Sequence, residues 1–262
     1  MIAQYDKRVT VKPMKVSLIH MQISESPKKN METAEQMLYR AADEGSKFIC
    51  LPEYFTFPAS LEDNIHIEKI SEATRKPAVK LLKRVSKEVD AYIVGGTIFE
   101  KFRGNYYNTC LFLKNGKILG KFRKMHLTEW EKKVGLHVGS TFRVFETEFC
   151  KAGILICADV FYPRTVKRLA SLGAEVVFLP VSASRTHPQM KGHPLTTKRA
   201  IDNKAFILKN GNTRSNSRGG NSAIISPWGI LSQAKNEMNT KIVSADLDIT
   251  QLREYRRATA SK

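Results

Sequence analysis

The spacing of apolar and polar residues changes along the chain and predicts strands and helices that alternate through its first half. Short apolar runs predict buried strands, and apolar residues three to four positions apart predict amphipathic helices. The predicted strands of this half cover 15–22, 47–52 and 91–99. The predicted helices of the whole chain cover 28–45, 73–89, 163–173 and 194–204.

Two hairpins and several further strands are predicted in the rest of the chain. The dipeptide Asn115-Gly116 divides 108–122 into two strands, because this pair favours the tight turn of a hairpin. A second hairpin over 222–234 turns at 227–229. The remaining strands are predicted as two short ones within 141–157 and as single strands over 175–182, 205–212 and 240–248. Strands packed on one face and covered by helices on the other would form a layered α/β sandwich.

The 262 residues are interpreted as one domain over 14–262, because no Pro-, Gly- or Ser-rich linker and no repeat interrupts the chain. Residues 1–13 are polar and are expected to be an N-terminal extension, with Met14 as a second candidate start. They contain no apolar segment typical of a secretory signal, and no apolar run reaches the roughly 18 residues needed to span a bilayer. We therefore expect a cytoplasmic protein without membrane contact.

Cysteine content and charge narrow the class of protein further. The four cysteines match neither a disulfide framework nor a zinc motif, and Cys50, Cys110 and Cys150 lie in apolar runs that predict small buried residues. The net charge of +18 would suit an anionic partner, yet the basic residues are spread along the chain without an aromatic-interleaved stripe. We expect a solvated basic surface and no nucleic acid partner.

Three residues at predicted strand ends could together perform nucleophilic catalysis. Cys157 stands between an apolar run and a predicted helix, in a turn whose N–H groups would favour a thiolate and a developing oxyanion. Glu53 ends a buried strand beside Tyr54 and Phe55, where partial desolvation would raise its proton affinity and suit it to general-base work. The ammonium of Lys124 would stabilise negative charge. Each residue alone also has an ordinary structural interpretation, so the argument rests on the set.

The contexts of these three residues, in this order, resemble the motifs of the nitrilase superfamily of carbon–nitrogen hydrolases. The matching segments are Leu-Pro-Glu at Glu53, Phe-Arg-Lys-Met-His-Leu around Lys124, and Gly-x-x-x-Cys-x-Asp-x-x-x-Pro around Cys157. Supporting matches are a glycine pair at 95–96, Tyr107-Asn108, Arg-Ala-Ile-Asp-Asn at 199–203 and Ser-Ala-Ile-Ile-Ser-Pro-Trp-Gly at 222–229. The resemblance covers nearly all of 14–250.

The resemblance implies a four-layer α-β-β-α sandwich that pairs through helices into a homodimer or a larger homo-oligomer. It implies that Glu53 acts as general base, that Cys157 attacks the substrate carbon, and that Lys124 and the N–H after the cysteine hold the oxyanion. Many members position the substrate with a second glutamate, for which Glu131 is the candidate and Glu129 the alternative. The resemblance implies no metal and no organic cofactor, and a small amide-type molecule as substrate.

The nucleophile segment resembles the amidase-like branch of the superfamily. Cys157-Ala158-Asp159 matches the Cys-x-Asp pattern of that branch, which favours an amide or carbamoyl substrate over a nitrile. Several members carry an arginine where this chain has Phe161, and its absence argues against a dicarboxylate monoamide as substrate. The residues expected to line the pocket are Tyr54, Ala158, Phe161, Ser182 and Ala183. A nitrilase, an acyl-transferring relative and a basic binding protein that has lost catalysis remain alternatives.

Overall fold

The computed structural model describes residues 14–60, 65–182, 192–214, 220–234 and 238–260. The elements of the first half are β1 (Met14–Gln22), α1 (Pro27–Asp43), β2 (Phe48–Leu51), α2 (Ile67–Glu88), β3 (Tyr92–Gly95), β4 (Ile98–Phe102), β5 (Asn105–Lys114), β6 (Lys117–Arg123) and α3 (Glu129–Lys133). Those of the second half are β7 (Val144–Glu146), β8 (Lys151–Ile154), a short 3-10 helix (Cys157–Phe161), α4 (Pro163–Ser171), β9 (Val176–Pro180), α5 (Pro194–Asn203), β10 (Phe206–Asn210), β11 (Asn212–Thr213), β12 (Ala223–Ser226), β13 (Gly229–Gln233), β14 (Lys241–Leu247) and α6 (Ile249–Ala258).

The described strands form two sheets with parallel centres. The first sheet follows the order β11-β1-β2-β3-β5-β4, with β14 paired to β1 and β6 paired to β5. The second follows the order β13-β12-β10-β9-β8-β7. Strands β1, β2 and β3 are parallel to one another, as are β8, β9 and β10. Within each group the carboxyl ends of the strands therefore meet at one edge of the sheet.

The sheets pack face to face and each is covered by helices on its outer side. Helices α1 and α2 bury their apolar residues on the first sheet, with Leu38 and Leu82 at the centre of that cluster. Apolar residues of α4 and α5 join the core of the second sheet. The Phe48 ring of β2 stacks on Phe178 of β9 across the interface, with ring centroids 5.6 Å apart. The predicted four-layer α-β-β-α sandwich is confirmed.

Both predicted hairpins are confirmed, and the turn chemistry explains the first. Asn115 and Gly116 connect β5 to β6 with φ angles of +51° and +73°, the left-handed pair that a two-residue turn of this kind requires. The predicted strand over 91–99 is wrong as one element, because the chain turns at Gly96 and continues as β4. A Cβ at Gly96 would lie 2.4 Å from the Pro52 carbonyl oxygen, so this turn needs glycine.

Three helical regions differ from the prediction. Helix α2 begins at Ile67, before the predicted start at residue 73, because its first buried positions include polar Ser71 and Thr74. The Ser71 hydroxyl is buried and donates to the Phe99 carbonyl at 2.9 Å, so no apolar period marks this turn. Helices α3 and α6 were absent from the prediction. The five residues of α3 bury only Glu131, and α6 buries too few apolar residues to establish a helical period.

Candidate active site

Glu53 lies two residues after β2, and its carboxylate is buried with 1% of the residue exposed. Its Oε2 atom accepts a hydrogen bond from the backbone N–H of Ser182, just beyond the end of β9, at 2.7 Å. Its Oε1 atom accepts from Lys124 Nζ at 2.9 Å and from Asn108 Nδ2 at 2.8 Å. Donors from both sheets therefore fix the two oxygens.

Lys124 directly follows β6 in a turn held by a close backbone contact. The Gly139 N–H donates to the Lys124 carbonyl at 2.7 Å. A Cβ at Gly139 would lie 2.2 Å from the Arg123 carbonyl oxygen, so a larger residue would push the two segments apart. The Lys124 side chain is as buried as that of Glu53, and its ammonium forms an ion pair with that carboxylate.

Cys157 follows β8 at the point where the chain turns into the 3-10 helix and then α4. Its φ angle is +43°, a left-handed conformation that a residue with a side chain adopts at some cost in energy. Asp159 closes the turn, because its N–H donates to the Ile156 carbonyl at 3.0 Å and its Oδ2 accepts from the Ile156 N–H at 3.0 Å. The half-buried Cys157 thiol is within hydrogen-bonding reach of the Glu53 carboxylate and close enough to the Lys124 ammonium to interact with it electrostatically.

The second glutamate of the cluster is Glu131, at the start of α3. Thr128 caps this helix and forms a capping box with Glu131, whose Oε2 accepts from the Thr128 N–H at 2.8 Å. The other oxygen accepts from Lys124 Nζ and Asn108 Nδ2, each at 2.9 Å, and from the Tyr54 hydroxyl. Glu129 instead points outward, with 90% of its side chain exposed and an ion pair to Lys132.

The four ionisable groups perturb one another in opposite directions. Burial raises the pKa of Glu53 above its ordinary value, against the effect of Lys124, as its position at the end of a buried strand led us to expect. Burial alone would lower the pKa of Lys124, yet the surrounding Glu53, Cys157 and Glu131 raise it well above its usual range. Burial would raise the pKa of Glu131, but Lys124 and Tyr54 hold it below its ordinary value.

The ionisation of the Cys157 thiol differs from the prediction, which was that the turn would favour a thiolate. Burial raises the pKa of this thiol above its ordinary value, and the Glu53 carboxylate beside it raises the pKa further, while Lys124 opposes both effects. The neighbouring carboxylate and the loss of water outweigh the local N–H groups. The group is therefore a neutral thiol at neutral pH, and it has a proton acceptor in contact.

The residues expected to line the pocket lie in different surroundings. Ala158 and Ser182 are buried beside the cluster. Tyr54 is buried as well, but its hydroxyl donates to Glu131, so it belongs to the polar network as much as to an apolar wall. Phe161 is 64% exposed at the end of the 3-10 helix. Ala183 lies outside the described residues.

Sequence reasoning assigned no role to Asn108, which is central to the observed geometry. This residue of β5 is fully buried, and its Nδ2 atom lies 2.8 Å from Glu53, 2.9 Å from Glu131 and 2.8 Å from the Tyr54 hydroxyl. The matching Tyr107-Asn108 pair was the available signal. The role of this pair could not be predicted without the strand order of the sheet, because a residue of β5 lies near the end of β2 only through the pairing of β5 with β3.

Asp159 was used only to distinguish branches of the superfamily, yet it also joins two parts of the site. Its Oδ1 atom accepts from the N–H groups of Met125 and His126 at 3.2 and 2.9 Å, and lies 2.8 Å from His126 Nδ1. The carboxylate is fully buried, and burial raises its pKa while the His126 hydrogen bonds oppose the rise. Asp159 thus fastens the nucleophile turn to the segment that follows Lys124.

The remaining cysteines behave as small core residues, as predicted. Cys50, Cys110 and Cys150 are buried and unpaired, and burial raises the pKa of each thiol, that of Cys150 to about 12. In the part of the chain that the structure describes, no cluster of three His, Cys, Asp or Glu side chains has the geometry of a metal site. No described helix is both long and apolar enough to cross a bilayer.

Comparison with known proteins identifies the class to which this fold and site belong. The family model of the carbon-nitrogen hydrolases matches residues 15–257. The chain belongs to this family of enzymes, and the predicted resemblance to the amidase-like branch of the nitrilase superfamily is confirmed.

Particular relatives cover almost the whole chain. Omega-amidase NIT2-B of Xenopus laevis and omega-amidase NIT2 of Homo sapiens are each 29% identical to it, over 92% of this chain and 91% of theirs. The crystal structure of Nit3 of Saccharomyces cerevisiae, from branch 10 of the nitrilase superfamily, superposes with a TM-score of 0.83 at 26% identity, over 97% of both chains. A variant of the amidase from Nesterenkonia sp. AN1, whose active-site cysteine carries a Michael adduct of acrylamide, shares the fold with a TM-score of 0.79 at 19% identity, over 95% of this chain and 98% of its own.

Proposed function

We propose that the chain hydrolyses a small linear amide or N-carbamoyl amine through an acyl intermediate on Cys157. The observation that carries the proposal is the convergence of one thiol, one ammonium and two carboxylates, with Lys124 Nζ 2.9 Å from Glu53 Oε1 and the thiol beside both. A neutral thiol next to a carboxylate of raised pKa suits proton transfer that accompanies attack, because neither partner starts in a strongly disfavoured state.

In the first half-reaction, Cys157 Sγ forms a bond to the amide carbon while Glu53 takes the thiol proton. The carbonyl oxygen becomes negatively charged and is stabilised by the Lys124 ammonium and the backbone N–H of Ala158. When the C–N bond breaks, the proton on Glu53 passes to the leaving nitrogen. An amide then releases ammonia and leaves its acyl group on sulfur, whereas an N-carbamoyl amine releases the amine and leaves the carbamoyl group.

In the second half-reaction, Glu53 removes a proton from water, which attacks the thioester carbon. Collapse of the intermediate breaks the C–S bond, and the proton held by Glu53 returns to the sulfur. An acyl group leaves as the carboxylic acid, whereas a carbamoyl group leaves as carbamic acid, which decomposes to ammonia and carbon dioxide. Glu131 orients the Lys124 ammonium throughout, since its oxygens accept hydrogen bonds from Lys124, Asn108 and Thr128. We propose that it also orients the amide group of the substrate.

Two measurements test this function. Ammonia release from a panel of small amides, with the acid identified by mass spectrometry, is expected for the wild type and is expected to be absent for Cys157→Ser. Acrylamide, which adds to the active-site cysteine in a variant of the Nesterenkonia amidase, is expected to form one adduct at Cys157 and none at buried Cys50, Cys110 or Cys150. Release of ammonia by Cys157→Ser at the wild-type rate would remove the nucleophile from the proposal, and transfer of the acyl group to an added amine would identify a transferase.

We also propose that two copies pair through the helices of the second sheet. Trp228 and Tyr255 contact each other with ring centroids 6.2 Å apart, and they remain 46% and 36% exposed. Ile201 on α5 and Tyr162, the residue before α4, are also large apolar side chains that remain exposed. Light scattering should give a dimer that Ile201→Lys weakens, whereas Leu119→Lys on β6 should leave it intact. A monomer at every concentration would contradict the pairing.

A single domain over 14–262 and a cytoplasmic location are proposed as well. The family match over 15–257 supports the first, and four unpaired cysteines, which suit a reducing compartment, support the second. One cooperative unfolding transition and recovery in the cytosolic fraction are the expected results.

A further inference from the structure

One peptide unit, between Glu53 and Tyr54, directs two side chains into the cluster. Tyr54 has a φ angle of +54°, a left-handed conformation that a bulky residue keeps only when its surroundings hold it there. Successive residues of an extended strand point to opposite sides. Here both side chains reach one atom, because Asn108 Nδ2 lies 2.8 Å from Glu53 Oε1 and 2.8 Å from the Tyr54 hydroxyl oxygen. The left-handed turn therefore places the proposed base and its neighbour on the same side of the chain.

A threonine between β3 and β4 holds the N–H side of this peptide unit. The Tyr54 N–H donates to Thr97 Oγ1 at 2.9 Å, and Thr97 is fully buried. Thr97 directly follows Gly96, whose close approach to the Pro52 carbonyl keeps this turn against the segment that carries the base. Because the contact is buried, loss of the hydroxyl would leave the Tyr54 N–H without an acceptor.

An asparagine from the second half of the chain holds the carbonyl side. The Glu53 carbonyl accepts a hydrogen bond from Asn212 Nδ2 at 2.7 Å, and Asn212 is also fully buried. Asn212 begins β11 in the first sheet, and Gly211 alone separates it from β10 in the second sheet. A Cβ at Gly211 would lie 2.1 Å from the Gly220 carbonyl oxygen, so no side chain fits at this crossing between the sheets. The close packing fixes the place from which Asn212 reaches the base.

Asn212 also contacts a residue that binds the carboxylate of the base. The Ser182 hydroxyl donates to Asn212 Oδ1 at 3.4 Å, and the Ser182 N–H donates to Glu53 Oε2 at 2.7 Å. Asn212 therefore supports the main chain of the base directly and its carboxylate through one intermediate residue.

We propose that Thr97 and Asn212 clamp the peptide unit that follows Glu53 and act as positioning residues for the general base. The N–H and the carbonyl of a trans peptide point to opposite sides, so the two side chains hold this unit from opposite directions and oppose its rotation. Rotation of the peptide would move the Glu53 carboxylate away from Cys157. The inference rests on the proposed function, since it concerns the orientation of the base in that reaction.

Replacement of Thr97 tests the clamp. Thr97→Val keeps the shape of the side chain but removes the acceptor, so kcat should fall at least about tenfold, because a small displacement of a catalytic group is costly. KM should stay within about twofold, since no contact to the substrate is changed. Thr97→Ser keeps the hydroxyl and should retain most of the wild-type kcat. The matched control is Thr74→Val, which removes a buried hydroxyl that donates to the Ile70 carbonyl of α2 at 2.8 Å, and it should lower stability without lowering kcat.

Replacement of Asn212 tests whether the two residues act on the same peptide unit. Asn212→Leu removes the donor at similar volume and should also lower kcat at least about tenfold. The double variant with Thr97→Val should lose less than the product of the two single losses, because a peptide already released by one change is little affected by the other. A loss equal to that product would indicate two independent effects and would overturn the shared clamp.

The rate at which acrylamide alkylates Cys157 separates this inference from the proposed function, because the reaction uses Glu53 as proton acceptor and needs no turnover. Alkylation should slow at least about threefold in Thr97→Val and recover in Thr97→Ser. If the wild type hydrolyses no amide of the panel, the proposed function fails, and alkylation still tests the clamp. Wild-type kcat and alkylation in a folded Thr97→Val variant, or equal losses in Thr74→Val, would overturn the clamp while the hydrolase stands. Thr97→Ala and Asn212→Ala replace the larger variants if circular dichroism shows that these are unfolded.

Discussion

The backbone N–H of His126 donates to the carboxylate of Asp159 at 2.9 Å, and this bond joins the segment after Lys124 to the turn that carries the nucleophile. The same carboxylate also accepts from the N–H groups of Met125 and Ile156. The distance between the proposed oxyanion donor and the proposed nucleophile therefore depends on a residue that contacts neither reacting group.

Replacing Asp159 should consequently damage activity and stability together. Asp159→Ala leaves three backbone donors without their acceptor, which should lower the free energy of unfolding by at least about 2 kcal/mol. We expect kcat to fall about a hundredfold, because small displacements of catalytic groups are costly. Urea unfolding and amide turnover measure the two effects, and the rate of Cys157 alkylation reports on the turn itself. Asp202→Ala, which removes an exposed carboxylate paired with Lys198, is the control. Wild-type rates of turnover and alkylation in Asp159→Ala would show that the hydrogen bonds of this carboxylate are not needed to position the nucleophile.

Removing the proposed nucleophile or base should abolish turnover while leaving the fold intact. Cys157→Ser and Glu53→Gln should each retain less than about a hundredth of wild-type activity, given general-base contributions of about 10²–10⁴-fold. Both replacements preserve shape, so the melting temperature should change little compared with the activity. Steady-state ammonia release and thermal unfolding provide the measurements. More than a hundredth of the wild-type rate in a folded variant would exclude the residue from its role.

The acid limb of the pH–rate profile should reflect the ionisation of Glu53. The base must be ionised, and its pKa is raised by burial, so kcat/KM should fall as the pH drops through an apparent pKa above the ordinary 4.5. Lys124 must stay protonated, and its pKa is raised, so it should cause no loss on the alkaline side up to about pH 9. Thermal unfolding at each pH separates ionisation from denaturation. A profile that stays flat down to pH 4 would contradict the assignment of the base.

The two neighbouring glutamates should behave differently on amidation. Glu131→Gln replaces a buried carboxylate that accepts from Lys124 and Asn108, so kcat should fall about 10²-fold as the ammonium loses its orientation. Glu129→Gln changes an exposed side chain and should keep wild-type kinetics. The comparison settles which residue fills the role that sequence spacing left open. Equal loss in both variants would point to damage of α3 itself.

Much of the fold could be predicted because it follows local rules. Apolar periodicity located the central strands, and the Asn115-Gly116 pair fixed a hairpin without any information from elsewhere in the chain. The errors arise where tertiary contacts replace the local signal. Ser71 is polar but buried because the Phe99 carbonyl accepts a hydrogen bond from its hydroxyl, and Gly96 interrupts an apolar run because Pro52 leaves no room for a side chain.

In the candidate site as well, local sequence context identified some residues, while features that depend on tertiary contacts were missed. Glu53, Lys124, Cys157 and Glu131 were identified from their contexts, and the structure brings these four together. The contacts of Asn108 and the raised pKa of the Cys157 thiol could not be predicted from the sequence, because both depend on distances between residues far apart in the chain.

The hydrogen bond from the Ser182 N–H to Glu53 has a consequence for the order of assembly. It joins the carboxyl end of β2 to that of β9, so the base acquires its final orientation only when the two sheets have docked. During refolding, each sheet could regain its secondary structure early and separately. Recovery of turnover would then lag behind the circular dichroism signal, and the appearance of enzymatic activity would report when the two sheets dock.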